Sequence, residues 1–217
     1  MKKLFATLFG VCFLSAVMIG CSKDGDDGED IVTPGGTGNE NTDVTFNLKS
    51  GILENFGLYG TTGHYELDLT LVTEGITIPD DETGSVTGQG RAIYFYMISS
   101  NKNYLDNGTY TLSTTADYPL NTFFLGEYTL DLNSNSSAVT NWIEITSGTV
   151  TVLRNGNTYN ISINCANAKG KTVKGTYIGT LNYFDWDILA TIHQKMLKAN
   201  HHESLLNRAG IWKYPML

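Results

Sequence analysis

His64, Glu66 and Asp68 alternate with Tyr65 and Leu67 in the stretch "HYELDLTL", the first place where residue types and spacing suggest chemistry. In an extended strand, residues two apart share a face about 7 Å apart, so these three side chains form one row. A row of that kind could hold a cation or supply an acid/base pair; the plainer expectation is a solvated strand face. A second group is His193, His201 and His202 with Glu203, a possible metal site. His193 and His201 are eight residues apart across an expected helix break, however, and no HExxH or comparable ligand spacing is present. The expectation is exposed histidines and no metal or other cofactor. The aromatic residues Tyr59, Tyr94, Tyr96, Tyr104, Tyr118, Phe123, Phe124 and Trp142 lie in or beside strand-like segments. Tyr94, Tyr96 and Trp142 are the candidates for a ligand-binding face, because exposed rings stack on the apolar faces of sugars. Core packing accounts for most of the set. No GxSxG elbow, CxxC pair, Walker loop or dinucleotide fingerprint occurs, so no catalytic residue is assigned.

The elements that carry these residues have a period of two. Tyr65, Leu67, Leu69 and Leu71 alternate with His64, Glu66, Asp68 and Thr70, the pattern of a strand with one buried face. "RAIYFYMI" is apolar on both sides and reads as a central strand. "GEYTLDL" sets Tyr128, Leu130 and Leu132 against Thr129 and Asp131. "YNISINC" places Tyr159, Ile161, Ile163 and Cys165 together, so Cys165 reads as a small core residue. Asn155-Gly156 and Asn107-Gly108 are the dipeptides of tight type I′ hairpin turns, and Lys169-Gly170 marks a longer hairpin loop. The segments 148–153, 159–165 and 172–183 therefore form an antiparallel meander. No helical crossover interrupts the strands before Phe184, which argues against a parallel sheet. About eight short strands between Val44 and Phe184 make an all-β domain, either an antiparallel sandwich or a small barrel. "YELDL" and "YTLDL" are similar, as are two Gly-Thr-Tyr triplets, but strand–turn chemistry produces such short matches readily.

Composition narrows the partners. The 217 residues carry 22 acids against 14 lysines and arginines, a net charge of −8. Nucleic-acid binding depends on neutralising phosphates with basic side chains, so nucleic acid is not an expected partner. The segment Ser22–Asp43 is rich in acids, Gly, Asn and Thr and reads as a flexible spacer. Its acids do not make an EF-hand, because the fifth and sixth positions counted from Asp24 are Gly28 and Glu29.

The beginning of the chain explains the remaining cysteine. Met1-Lys2-Lys3 precedes an uncharged run from Leu4 to Gly20, the layout of a secretory signal. The run ends in Met18-Ile19-Gly20-Cys21, which resembles the lipobox of bacterial lipoproteins. That resemblance implies cleavage before Cys21, lipidation of its thiol, and a lipid anchor in the membrane; two or more acyl chains give stable attachment. "SKDGDDGED" resembles the acidic export signal of surface lipoproteins in Bacteroidota, which implies an outer-membrane protein displayed at the cell surface. The meander from Ser147 to Leu181 is similar to all-β lipoproteins of the same phylum that carry no established activity. Cys12 would leave with residues 1–20, so the mature chain would hold no intrachain disulfide.

Composition changes again at Asp185. Trp186, Leu189, Ile192 and Met196 recur at helical spacing, Asn200 and Glu203 suit a helix start, and Gly210 suits a stop. The expectation for 185–217 is a short helical appendage docked on the β-domain. A partner- or membrane-surface helix and an accident of reading frame or assembly are the alternatives. The organisation expected is thus a signal peptide at 1–20, a tether at 21–43, an all-β domain at 44–184 and the tail. The function expected is a lipid-anchored binding or adhesion module with a glycan or protein ligand. A structural subunit of a surface assembly is one alternative, and a hydrolase using acids such as Glu66 or Asp68 is the other.

Overall fold

The computed structural model describes residues 40–187, apart from 60, 61, 82, 83, 116 and 136–139. The proposed lipidation site Cys21, the tether before residue 40, and the histidines of the tail lie outside the described residues.

Ten strands follow one another: β1 (Val44–Tyr59), β2 (His64–Thr73), β3 (Ile76–Thr77), β4 (Thr87–Ser99), β5 (Gly108–Leu112), β6 (Thr122–Asn133), β7 (Ile143–Asn155), β8 (Thr158–Asn167), β9 (Thr172–Gly179) and β10 (Asn182–Asp185). The first strand begins at Val44, where the polar composition gives way to alternation. The order β1-β2-β4-β6-β5-β7-β8-β9 closes on itself through a β9–β1 pairing, giving an eight-stranded barrel. β3 pairs with β4, and β10 continues beyond β9 along β1. Of the two all-β architectures expected from the sequence, the protein therefore adopts the barrel.

The sheet is mixed. β1 runs parallel to β9 and β10, and β5 parallel to β6; the other pairings are antiparallel. Parity explains the closure. Without the short inserted β5 the barrel is an up-and-down path of seven strands, and an odd number leaves the first and last pointing the same way. No helical crossover is needed, because the two parallel neighbours stand at opposite ends of the chain, joined by the whole barrel wall.

Eight strands enclose a space that side chains just fill. Leu67, Leu69 and Leu71 of β2, Phe95 and Met97 of β4, Phe123 and Tyr128 of β6, and Ile161, Ile163 and Cys165 of β8 all enter the same interior cluster. Each apolar side chain so buried contributes about 1.5–3 kcal/mol relative to exposure. Burial also pushes the Cys165 thiol up to about 11, so it remains protonated and inert, as its place in the alternation indicates.

Bulges redirect part of the pattern. Register shifts between Gly90 and Ala92 on β4 turn Leu132 out of the interior, and it packs in a second cluster on the outside of the barrel. The Asn-Gly turns also differ from expectation. Asn155 pairs with Thr158, so the hairpin turn is Gly156-Asn157, with Gly156 at φ +60° in its first central position. A glycine there with no positive φ at the second position matches type II′ rather than type I′. Asn107-Gly108 is no hairpin at all. Asn107 instead bonds across to β7, its side-chain oxygen accepting the Arg154 amide at 2.5 Å. The loop around Lys169-Gly170 does connect adjacent strands, and Asn167 Oδ1 accepts the amides of Lys169 and Lys171 at 3.0 and 3.1 Å.

The two ends of the barrel differ. At one, the incoming chain is clamped to the β8–β9 loop: Asn167 Nδ2 donates to the Glu40 carbonyl at 2.8 Å, and Lys169 pairs with Glu40 at 3.6 Å. At the other, the loop between β4 and β5 folds inward and buries Leu105 completely in the interior cluster. Asp106 holds that loop by accepting the Ser100 amide at 2.6 Å and the Ser99 hydroxyl at 3.1 Å. Tyr183 donates to the Lys102 carbonyl at 2.8 Å, and the Arg154 guanidinium lies 4.1 Å from the centre of the Tyr104 ring.

Candidate functional site

The outward face of β1, β2, β4 and β6 is not a wet surface. Strand register lines up Glu54, Asp68, Tyr96 and Leu125 in one row and Ile52, Thr70, Tyr94 and Glu127 in the next. Glu54, Asp68 and Thr70 are wholly buried, and Glu66 is 6 % exposed. The expectation of a solvated face for His64, Glu66 and Asp68 is corrected here. Ile52, Val72, Ala92, Tyr94, Tyr96, Trp142, Phe184 and Trp186 form an apolar cluster around the carboxyls, so β2 is buried on both sides, as β4 is. Alternation in β2 shows that its two faces differ in chemistry; it cannot show that the polar one is covered.

Burial sets the protonation of this face. Glu66 is pushed up to about 7 by desolvation, and Glu127 to about 7 by desolvation reinforced by Glu144. Asp68 is raised by desolvation first and then by the charges of Glu66 and Glu54, against the lowering effect of the Tyr94 hydroxyl, which donates to Asp68 Oδ2. The other Asp68 oxygen, the Thr70 hydroxyl and Glu127 Oε2 have no hydrogen-bond partner. Trp186 closes over the face from the chain beyond β10, its indole donating to Glu54 Oε1 at 2.9 Å. Carboxyls with this environment retain protons near neutrality. Among the described residues, no three histidine, cysteine or acidic side chains are placed to hold a metal ion.

The aromatic candidates divide between this face and its end. Tyr94 and Tyr96 meet edge to face with centroids 4.8 Å apart, and both are buried, as is Trp142. None of the three presents an open ring to solvent; they belong to the cluster that surrounds the acids. The row of rings continues past them, however. Tyr96 stacks on Phe124 at 5.0 Å and 16°, and Phe124 meets Tyr118 at 4.6 Å and Tyr59 at 5.4 Å. Tyr59, Tyr118 and Phe124 are only partly buried and stand at the end of β1, in the β5–β6 loop and at the start of β6. Tyr118 and Asn121 hold positive φ values of 32° and 58°, an uncommon backbone state for residues other than glycine. The Thr122 hydroxyl donates to the Pro119 carbonyl at 2.6 Å, which fixes the turn carrying Tyr118. Leu58, next to Tyr59 at the end of β1, and Leu120, in the β5–β6 loop, are exposed by 60 % and 39 %.

Sequence reasoning found Glu66 and Asp68 but not Glu54 and Glu127. Glu127 opens the alternation of "GEYTLDL" on the side of Thr129 and Asp131, and Glu54 is an acid inside the more apolar second half of β1. The sequence matches no family model, no curated protein and no solved structure.

Proposed function

We propose that this chain is a lipid-anchored lipoprotein of the outer membrane, displayed at the cell surface, whose barrel binds a glycan or protein ligand through the loops at the end opposite Val44. The polarity of β1 carries this reading. Its first residue, Val44, follows the acidic segment that begins after Cys21, and its last, Tyr59, joins the aromatic group with Tyr118 and Phe124. Sixteen strand residues lie between them, about 50 Å along the strand at roughly 3.3 Å each. The 22 residues Ser22–Asp43 add a covalent reach of at most about 75 Å. The end of the barrel opposite Val44 carries partly exposed rings, the side chains suited to stacking on sugars or anchoring a protein contact.

The interior is filled by side chains, which favours a surface site over a ligand in the lumen. The burial of Glu66 and Asp68 counts against the hydrolase alternative, because a catalytic carboxyl has to reach the bond it protonates.

Two measurements test the proposal. Cells expressing the full-length protein are labelled with palmitate: label and membrane retention should be present and should both disappear in Cys21→Ser. Retention and labelling of that variant would refute the anchor. On a glycan array, binding should fall at least tenfold in Tyr118→Ala. Binding unchanged by Tyr118→Ala and Tyr59→Ala would remove the loop aromatics from the site.

A further inference from the structure

Four strands bring acids to the outer face, and the charge that faces it is negative. β1 contributes Glu54, β2 contributes Glu66 and Asp68, β6 contributes Glu127, and β7 sets Glu144 opposite Glu127. β4 adds the hydroxyls of Tyr94 and Tyr96, and Tyr59 stands near Glu66 at the end of β1. From the C-terminal side come Asp185 and Asp187, with Asp187 against the β1 bulge at Gly57. Of the basic groups at this end of the barrel, His64 opens β2, Lys102 is engaged by Asp185 at 3.6 Å, and Arg154 lies over the Tyr104 ring. Neither of the two salt bridges among the described residues includes Glu66, Asp68 or Glu127. A buried carboxylate without a cation is costly, whereas a buried carboxylic acid is tolerated. Asp187 stands against Gly57, the register partner of Glu66, and Trp186 is attached to Glu54, the register partner of Asp68.

We propose that this face is a proton-operated clasp, in which neutral Glu66 and Asp68 let the segment Asn182–Asp187 seat on the barrel and their ionisation loosens it. The geometry makes the device directional. β10 adds only four residues to a flank of β1 whose opposite side is fully paired with β2, so it can leave without opening the barrel, which β9 closes independently at Val44–Asn47. The sign follows from the upward displacement of the acids. In the seated state Glu66 is held up at about 7, and once exposed it returns toward the ordinary carboxyl range near 4.3. Seating takes up protons, is complete below that ordinary range and weakens as pH rises through about 7.

Hydrogen–deuterium exchange on the full chain in detergent tests the clasp. After correction for the intrinsic rate, protection over residues 182–187 should fall at least tenfold between pH 5 and pH 8, while the β8 strand, Thr158–Asn167, keeps its protection. The double variant Glu66→Gln, Asp68→Asn should hold residues 182–187 equally at both pH values. Equal protection at pH 5 and pH 8 in the wild type, or an undiminished fall in the double variant, would overturn the proposal. Should that variant fail to fold, Glu66→Gln alone gives the reading: a smaller fall supports the clasp, and a fall equal to wild type overturns it.

Discussion

Leu105 offers a direct measure of how the far end of the barrel is sealed. It lies in a connecting loop, where a leucine is ordinarily half exposed, yet it is completely buried in the interior cluster. Leu105→Ala removes three carbon atoms from a packed site and leaves a cavity that the surrounding strands can only partly fill. The transfer and cavity contributions together place the cost in the range of about 2–5 kcal/mol. Asp106 and Tyr110 tie the following residues to the frame, the Tyr110 hydroxyl donating to the Asp106 carbonyl at 3.1 Å. The loop is therefore not able to collapse inward, and a value of about 3 kcal/mol is expected. For a domain of this size that corresponds to a fall in Tm of roughly 12 °C. Urea denaturation at pH 6 should show the midpoint shifted with an unchanged m-value. Leu120→Ala, in the neighbouring loop and 39 % exposed, serves as the comparison and should cost less than about 0.5 kcal/mol. If Leu105→Ala costs under about 1 kcal/mol, or no more than Leu120→Ala, the loop does not close the core and the reasoning fails.

Two other substitutions probe the wall and the outer face. Gly148 has φ +115°, and a Cβ there would lie 2.3 Å from the Cys165 Cα, so Gly148→Ala should destabilise the β7–β8 pair by more than about 2 kcal/mol in the same urea assay. Glu66→Gln should stabilise the protein by about 2–3 kcal/mol at pH 8, where the wild type must bury a charge, and should be nearly neutral at pH 4, since Glu66 is raised to about 7 and each pKa unit is worth about 1.36 kcal/mol. Equal denaturation midpoints at pH 8 would show that the carboxylate is compensated.

Much of the barrel is written in its local pattern. The leucines of β2 and the isoleucines of β8 point inward where alternation puts them, and the last three long strands form the expected meander. What local pattern lacks is the identity of distant neighbours. The β9–β1 pairing joins Val173 to Val44, and nothing in either strand names its partner, so sandwich and barrel were equally compatible with the sequence. The insertion of β5 between β6 and β7 was hidden for a related reason: Asn107-Gly108 has the composition of a hairpin turn, but its amide group is used to bridge to Arg154 instead. For the site, the acids of β2 were visible and their burial was not. Burial depends on Trp186 and Phe184 arriving from more than 110 residues away in the chain, and a stretch of eight residues carries no record of what will cover it. The same holds for Tyr94, Tyr96 and Trp142, whose ring types fit an exposed platform as well as the buried cluster in which they sit.

The parallel seam between β1 and β9 has a consequence for the order of events in folding. Because its partners stand 129 positions apart, from Val44 to Val173, nearly the entire domain has to be synthesised before the earliest strand acquires its second neighbour. Loop entropy must be lost over that whole distance before the contact is rewarded, so contact order is high and final closure is slow. Until then the nascent polypeptide keeps a bare flank and has no finished core. For an envelope protein of the kind proposed above, such lateness is useful: a strand that cannot lock early remains thin enough to be threaded through a translocation pore, and it locks once its last segments have crossed.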